Sequence, residues 1–128
     1  MENDKTILIV EDDADIREAM QEAIEDAGYV VYTAVNGEEG LNLALDKKPD
    51  LILLDIMMPV MNGHEMLKKL REDNWGKHAK VMILSAMDDV GNITTAYKGD
   101  IVGYIIKGHT SVNETLRKVR IALFTDNP

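Results

Sequence analysis

Apolar residues in this chain follow two rhythms. Unbroken runs occur at residues 7–10 (ILIV), 51–54 (LILL) and 81–84 (VMIL). A run apolar at every position suits a parallel strand covered on both faces, whereas a strand with one wet face would alternate. Between the runs the spacing becomes helical. Ile16, Ala19, Met20, Ala23, Ile24 and Ala27 predict a helix over 14–27, with Asp13 as its N-cap and Gly28 as its stop. The β-branched and aromatic stretch 30–34 predicts a second strand, and Leu41, Ala44 and Leu45 predict a helix over 37–47 that Pro49 ends.

The alternation continues to the end of the chain. After the third strand, 51–54, Asn62-Gly63 predicts a turn into a helix over 64–74 with Met66, Leu67 and Leu70 inward and Lys68, Lys69, Arg71 and Glu72 toward water. A fourth strand, 80–84, ends at Ser85-Ala86, and a short fourth helix is predicted over 93–98. Residues 102–106 read as the fifth strand. Ser111-Val112-Asn113-Glu114 is a capping box opening a last helix whose Val112, Leu116, Val119 and Leu123 share a face. Strict strand–helix alternation predicts one α/β domain over residues 1–128, a five-stranded parallel sheet with helices on both faces and right-handed connections. The ends, 1–5 and 125–128, are expected to fray.

Polar residues sharpen the picture because of where they fall. Glu11-Asp12-Asp13 follows the first strand, Asp55 the third, Ser85 the fourth and Lys107 the fifth. In open parallel sheets ligands bind beyond the carboxyl ends of the strands, so these residues mark one candidate site. Acids outnumber bases by 23 to 14, for a net charge of −9, which opposes direct binding to nucleic acid or to an anionic membrane. A protein partner or a bound cation fits better, since converging carboxylates repel one another unless a cation or proton neutralises them. The chain has no cysteine, which removes disulfides and thiolate metal sites. Its amino-terminal apolar run is too short for a signal peptide, and a soluble cytoplasmic protein is expected. The three histidines lack metal-ligand spacing, and Trp75, after the third helix, is expected at the end of the sheet remote from Asp55.

The chain resembles the receiver domain of two-component response regulators, of the stand-alone chemotaxis-regulator kind. The resemblance rests on Glu11-Asp12, the DIMMPVMNG stretch from Asp55 to Gly63, Ser85-Ala86, and Tyr104 three residues before Lys107. It implies the flavodoxin-like doubly wound fold, strand order 2-1-3-4-5, for which a receiver protein is a general example. It also implies that Asp55 accepts a phosphoryl group from a phosphohistidine on a sensor histidine kinase or phosphotransfer protein. Mg²⁺ would be held by Asp12, Asp55 and the Met57 backbone carbonyl, with Glu11 behind them or acting through water. Lys107 and Ser85 would meet the phosphoryl oxygens, and Ser85 and Tyr104 would carry the switch to a downstream protein through the fourth helix, fifth strand and last helix. Such a domain turns over no substrate beyond its own phosphorylation and dephosphorylation. One departure stands out: Gly108 follows Lys107 where the family usually has proline. Two other readings remain: a receiver-fold binding module that signals without phosphorylation, and a Mg²⁺-dependent phosphohydrolase, which the lack of an Asp-x-Asp after the third strand disfavours.

Overall fold

A computed structural model describes residues 4–86, 91 and 100–125. The helix expected over 93–98 lies outside them. The described chain forms β1 (Thr6–Val10), α1 (Ala14–Asp26), β2 (Val30–Ala34), α2 (Gly37–Lys47), β3 (Leu51–Asp55), α3 (Gly63–Glu72), β4 (Val81–Ser85), β5 (Gly103–Ile106) and the last helix, α4 (Val112–Phe124). The five strands are parallel and ordered β2-β1-β3-β4-β5.

The unbroken apolar runs are explained by the two-sided burial of the inner strands. Leu8, Val10, Ile52, Leu54, Val81 and Ile83 point to one face, where Ala44 of α2 and Met66, Leu67 and Leu70 of α3 cover them. Ile7, Ile9, Leu51, Leu53, Met82 and Leu84 point to the other, against Ile24 of α1 and Val119, Ala122 and Leu123 of α4. Successive side chains in a strand alternate between faces, so a strand with helices on both sides must be apolar throughout. Among the described residues no helix is long and apolar enough to cross a membrane.

Side-chain caps set the helix starts as their sequences suggest. Asp13 accepts from the Ile16 amide and Asn36 from Glu39, while Asn62 and Glu65 form a reciprocal capping box at α3. Of the box expected at Ser111 only one half forms, Ser111 accepting from the Glu114 amide while the Glu114 carboxylate pairs with Arg117. α4 lacks a basic residue in its last turn. The carbonyls at its end are met instead by Lys80, whose Nζ donates to Ala122 O at 2.9 Å, Leu123 O at 3.1 Å and, at the C-cap, Thr125 O at 2.6 Å.

Arg71 departs from the amphipathic reading, which faced it to water. α3 stops at Glu72 rather than Asn74, and a short 3₁₀ turn, Gly76–His78, follows. The Arg71 side chain folds over that turn: Nη1 donates to Gly76 O at 2.7 Å and Ala79 O at 2.8 Å, Nε to Asp100 Oδ1 at 2.8 Å, and Nη2 to Asp100 O. A residue in a last turn can reach past its helix, so the 3.6-residue period does not govern where its head goes. Arg71→Met should cost about 2–3 kcal/mol in urea unfolding, because three carbonyls lose a charged donor. Asp100→Asn should cost less, since that carboxylate is 45% exposed and water can replace the guanidinium. Equal costs would mean that the ion pair, not the carbonyl bonds, carries the effect.

Candidate functional site at the carboxyl edge of the sheet

Strand register brings the site together. Val10 pairs with Leu54, Asp55 with Leu84 and Ser85 with Ile106, so Glu11, Asp55, Ser85 and Lys107 emerge within a residue of one another along the same edge. The ladder extends to the site itself: the Glu11 amide donates to Ala34 O at 3.0 Å and the Lys107 amide to Ser85 O at 2.8 Å. Asp55 and Ser85 are therefore the last residues of their strands, one position earlier than a loop placement would have them. Glu11, Asp55 and Ser85 are buried, while Asp12 is exposed beside them.

Lys107 is the hub. Its Nζ lies 3.0 Å from Glu11 Oε1 and 3.2 Å from Asp55 Oδ1. Glu11 Oε2 accepts from the Asp13 amide at 3.1 Å, and Asp55 Oδ1 accepts from the Met57 amide at 3.3 Å. Glu11 Oε1 has the ion pair but no aligned hydrogen bond, and buried Asp55 Oδ2 has no hydrogen-bond partner among the described residues. One carboxylate oxygen each from Glu11, Asp12 and Asp55 lie within 4.8 Å of one another. Glu11 and Asp55 thus share one ammonium, Asp12 stands beside them, and Asp55 Oδ2 is buried without a hydrogen-bond partner among the described residues. This donor set, all oxygen and net anionic, fits a hard divalent cation such as Mg²⁺.

The remaining expected residues sit around this cluster. The Ser85 hydroxyl donates to Ala86 O at 2.9 Å rather than toward Asp55. Tyr104, half-buried on edge strand β5, packs against the α2/α3 core, with Lys118 Nζ 4.8 Å above its ring and donating to its carbonyl at 2.8 Å. Met57 is 74% exposed. Gly108 has φ +76°, a left-handed conformation that proline, fixed near −65°, cannot adopt. Trp75 lies with Lys5, Asp50 and Lys80 at the amino ends of the strands, as its position after α3 predicts.

Two features were not foreseen from the sequence. Glu11 touches Lys107 directly, as closely as Asp55 does. Arg17 Nη1 bonds the carbonyls of Glu11 at 2.9 Å and Asp12 at 3.4 Å, fixing the acid-bearing loop from α1. A lysine's reach across two strands leaves no periodic signal, and neither does an arginine turned back on its own N-terminus.

Burial pushes the Glu11 carboxyl up to about 7, against the Asp13 amide and Lys107, which lower it; the Asp55 charge adds to the rise. Asp55 is also raised, first by burial, with Glu11 and Lys107 opposing. For Lys107, burial lowers and the two carboxylates raise, leaving it above its ordinary value. A carboxyl raised on folding holds its proton more tightly in the native state, so the stability it lends is full below its unfolded value and drains away as pH rises through the folded one. Without divalent cation, thermal unfolding should therefore show a loss on the order of 2 kcal/mol between pH 4.5 and 7.5. Millimolar Mg²⁺ should flatten that slope by taking the proton's place. A metal-free protein equally stable across the window would show that these carboxyls titrate normally.

A doubly wound parallel sheet with buried acids and a lysine at its carboxyl edge defines a receiver-type signalling domain. The family model for the response regulator receiver domain matches residues 7–119, and the chain belongs to that family. It is similar to the phosphate regulon transcriptional regulatory protein PhoB of Pseudomonas aeruginosa, 35% identical over 97% of this chain and 54% of that protein. Among solved structures it resembles a putative response regulator from Chloroflexus aurantiacus (TM-score 0.87, 26% identity, 95% of this chain and 99% of that one). It also resembles the receiver domain of the Francisella response regulator 1452 (TM-score 0.83, 31% identity, 94% and 97%). The chain spans about half the length of the first curated relatives it matches.

Proposed function

We propose that Asp55 is the phosphoacceptor of a two-component phosphorelay, taking a phosphoryl group from a phosphohistidine on a sensor histidine kinase or phosphotransfer protein. The observation that carries this reading is the Asp55 carboxylate itself: one oxygen paired with Lys107, the other buried and unpartnered within an acid cluster. The free oxygen is the nucleophile. It forms the new O–P bond as the donor's N–P bond breaks, and the imidazole leaves with the electron pair. Lys107 neutralises developing charge on the phosphoryl oxygens as a point charge. Ser85 supplies a hydroxyl once it turns from Ala86 O. Asp12, Asp55 and the Met57 carbonyl would hold Mg²⁺, with Glu11 beside them; the cation supplies positive charge to both reactants.

The switch, in this reading, joins Ser85 to Tyr104 and changes the surface around β5 and α4, where a downstream protein would bind. Moving such an element from mostly off to mostly on needs roughly 5 kcal/mol of differential stabilisation, within reach of one phosphoryl group bonded to a lysine and a hydroxyl. The test is intact-mass analysis after incubation with acetyl phosphate and Mg²⁺. One added phosphate is expected; none in the folded protein would refute the proposal and leave a binding module that signals unmodified.

A further inference from the structure

The loop joining Asp55 to α3 is closed at two points. At its base the Gly63 amide donates to Ile56 O at 2.9 Å. At its tip the Met61 amide turns back onto Pro59 O at 2.8 Å, and the Met61 carbonyl accepts from Gly37 N at 2.8 Å. Gly37 is the first residue of α2, so its N–H is one of the donors that a helix leaves without an internal partner. That donor is spent on the phosphoacceptor loop.

Two further observations show how tight the junction is. A Cβ on Gly37 would fall inside van der Waals contact of the Met61 carbonyl oxygen and 3.0 Å from Asn62 O, both backbone atoms that cannot swing aside. The loop also holds Val60, β-branched and 76% exposed, at φ +68°. A β-branched residue in the left-handed region is strained, and such strain persists only where the surroundings over-determine the backbone. The Val60 side chain is too exposed for packing to impose that conformation, so the constraint is in the loop's own closure, and Gly37 supplies its outer half. α2 is seated just as closely on the other arm of the site. A Cβ on Gly40 would lie 2.8 Å from both γ-carbons of Val10, the residue before Glu11.

Resting on the phosphoacceptor reading, we propose that Gly37 is a positioning residue. Its N–H grips the Met61 carbonyl and fixes loop 56–62, which sets Asp55 and the Met57 carbonyl for the cation and the phosphoryl group. The first turn of α2 thereby ties the Asp55 loop to the strand that delivers Glu11 and Asp12. A methyl group at position 37 forces the tip away from α2 and lets the loop open while leaving the sheet intact.

The experiment compares the parent with Gly37→Ala and Gly40→Ala, using amide hydrogen exchange without metal and calorimetric Mg²⁺ titration, Trp75 being too remote to report the site. In folded Gly37→Ala the Met61 and Gly63 amides should exchange ~10-fold faster than in the parent, and Mg²⁺ affinity should fall roughly 10-fold. Gly40→Ala, which crowds the Val10 and Met66 side chains rather than the loop, should lower the melting temperature but keep the parental exchange at Met61 and Gly63. Parental loop exchange, or a loosened loop with parental affinity, would overturn the proposal. If Gly37→Ala does not fold, the parent decides: the Gly37 amide must be protected to about the degree of Gly63, and an unprotected Gly37 overturns it. A parent that takes up no Mg²⁺ would remove the metal reading, and the loop exchange rates alone would then decide the positioning role.

Discussion

Asp55→Asn, given acetyl phosphate and Mg²⁺ under conditions that label the parent, is expected to gain no mass. The carboxamide nitrogen is not nucleophilic and its oxygen carries no charge, so the loss should exceed ~10³-fold rather than be partial. A second effect should accompany it. The Asp55 charge helps hold Glu11 above its ordinary value. Removing it leaves Lys107 to Glu11 alone, so the Glu11 carboxyl should titrate lower and the decline in stability from pH 4.5 to 7.5 should become shallower. At pH 7.5 the variant should be stabler than the metal-free parent by about 1 kcal/mol, since one of two buried like charges is gone. A folded variant that still acquires one phosphate would place the acceptor on another carboxylate.

Lys107→Met is expected to move labelling and cation affinity in opposite directions. Methionine keeps most of the stem's length and removes the charge. The labelling rate should fall roughly 10²–10³-fold, the usual cost of losing one preorganised donor from a developing anion. Mg²⁺ should bind about 5-fold more tightly, because an ammonium 3.2 Å from Asp55 Oδ1 no longer competes for that oxygen. In the absence of Mg²⁺ at pH 7.5 the variant should lose about 2–4 kcal/mol, as two buried carboxylates are left without their cation. Lys107→Arg should not restore the rate, since a planar fork cannot take the ammonium's place between Glu11 Oε1 and Asp55 Oδ1. A parental labelling rate in Lys107→Met would remove the lysine from the chemistry.

The architecture could be read from the chain because the inner strands are apolar on both faces and the helices are not. Three runs without a polar break, the Asp13 and Ser111 caps and the Pro49 stop leave little freedom in how the elements alternate. β5 is weaker: Ile105 is its one fully buried residue, and it starts at Gly103 rather than Val102. The ionisable residues of the site were legible because each lies at or just past the carboxyl end of a strand, and parallel register turns that sequence position into proximity. What could not be read were contacts made by long side chains leaving their own element, namely the Lys107–Glu11 pair, Arg17 on the acid loop and Arg71 over the turn after α3. Such reaches obey neither the helical nor the strand period. The Gly37–Met61 bond was hidden for another reason, since a backbone donor leaves no mark on residue type.

The Lys107 amide bonds the Ser85 carbonyl, and that bond has a consequence for how the chain can vary in length. From β1 to β2, β2 to β3 and β3 to β4 the polypeptide passes through a helix whose following loop lies at the amino edge, and residues gained or lost in that loop are absorbed far from the acids. Inside β4 or β5 one added residue would turn the following side chains to the opposite face and advance the ladder by about 3.3 Å, parting Lys107 from Glu11 and Asp55 together. Insertions and deletions should thus be tolerated at the amino edge of the sheet and excluded from the strand ends, whatever the residues involved.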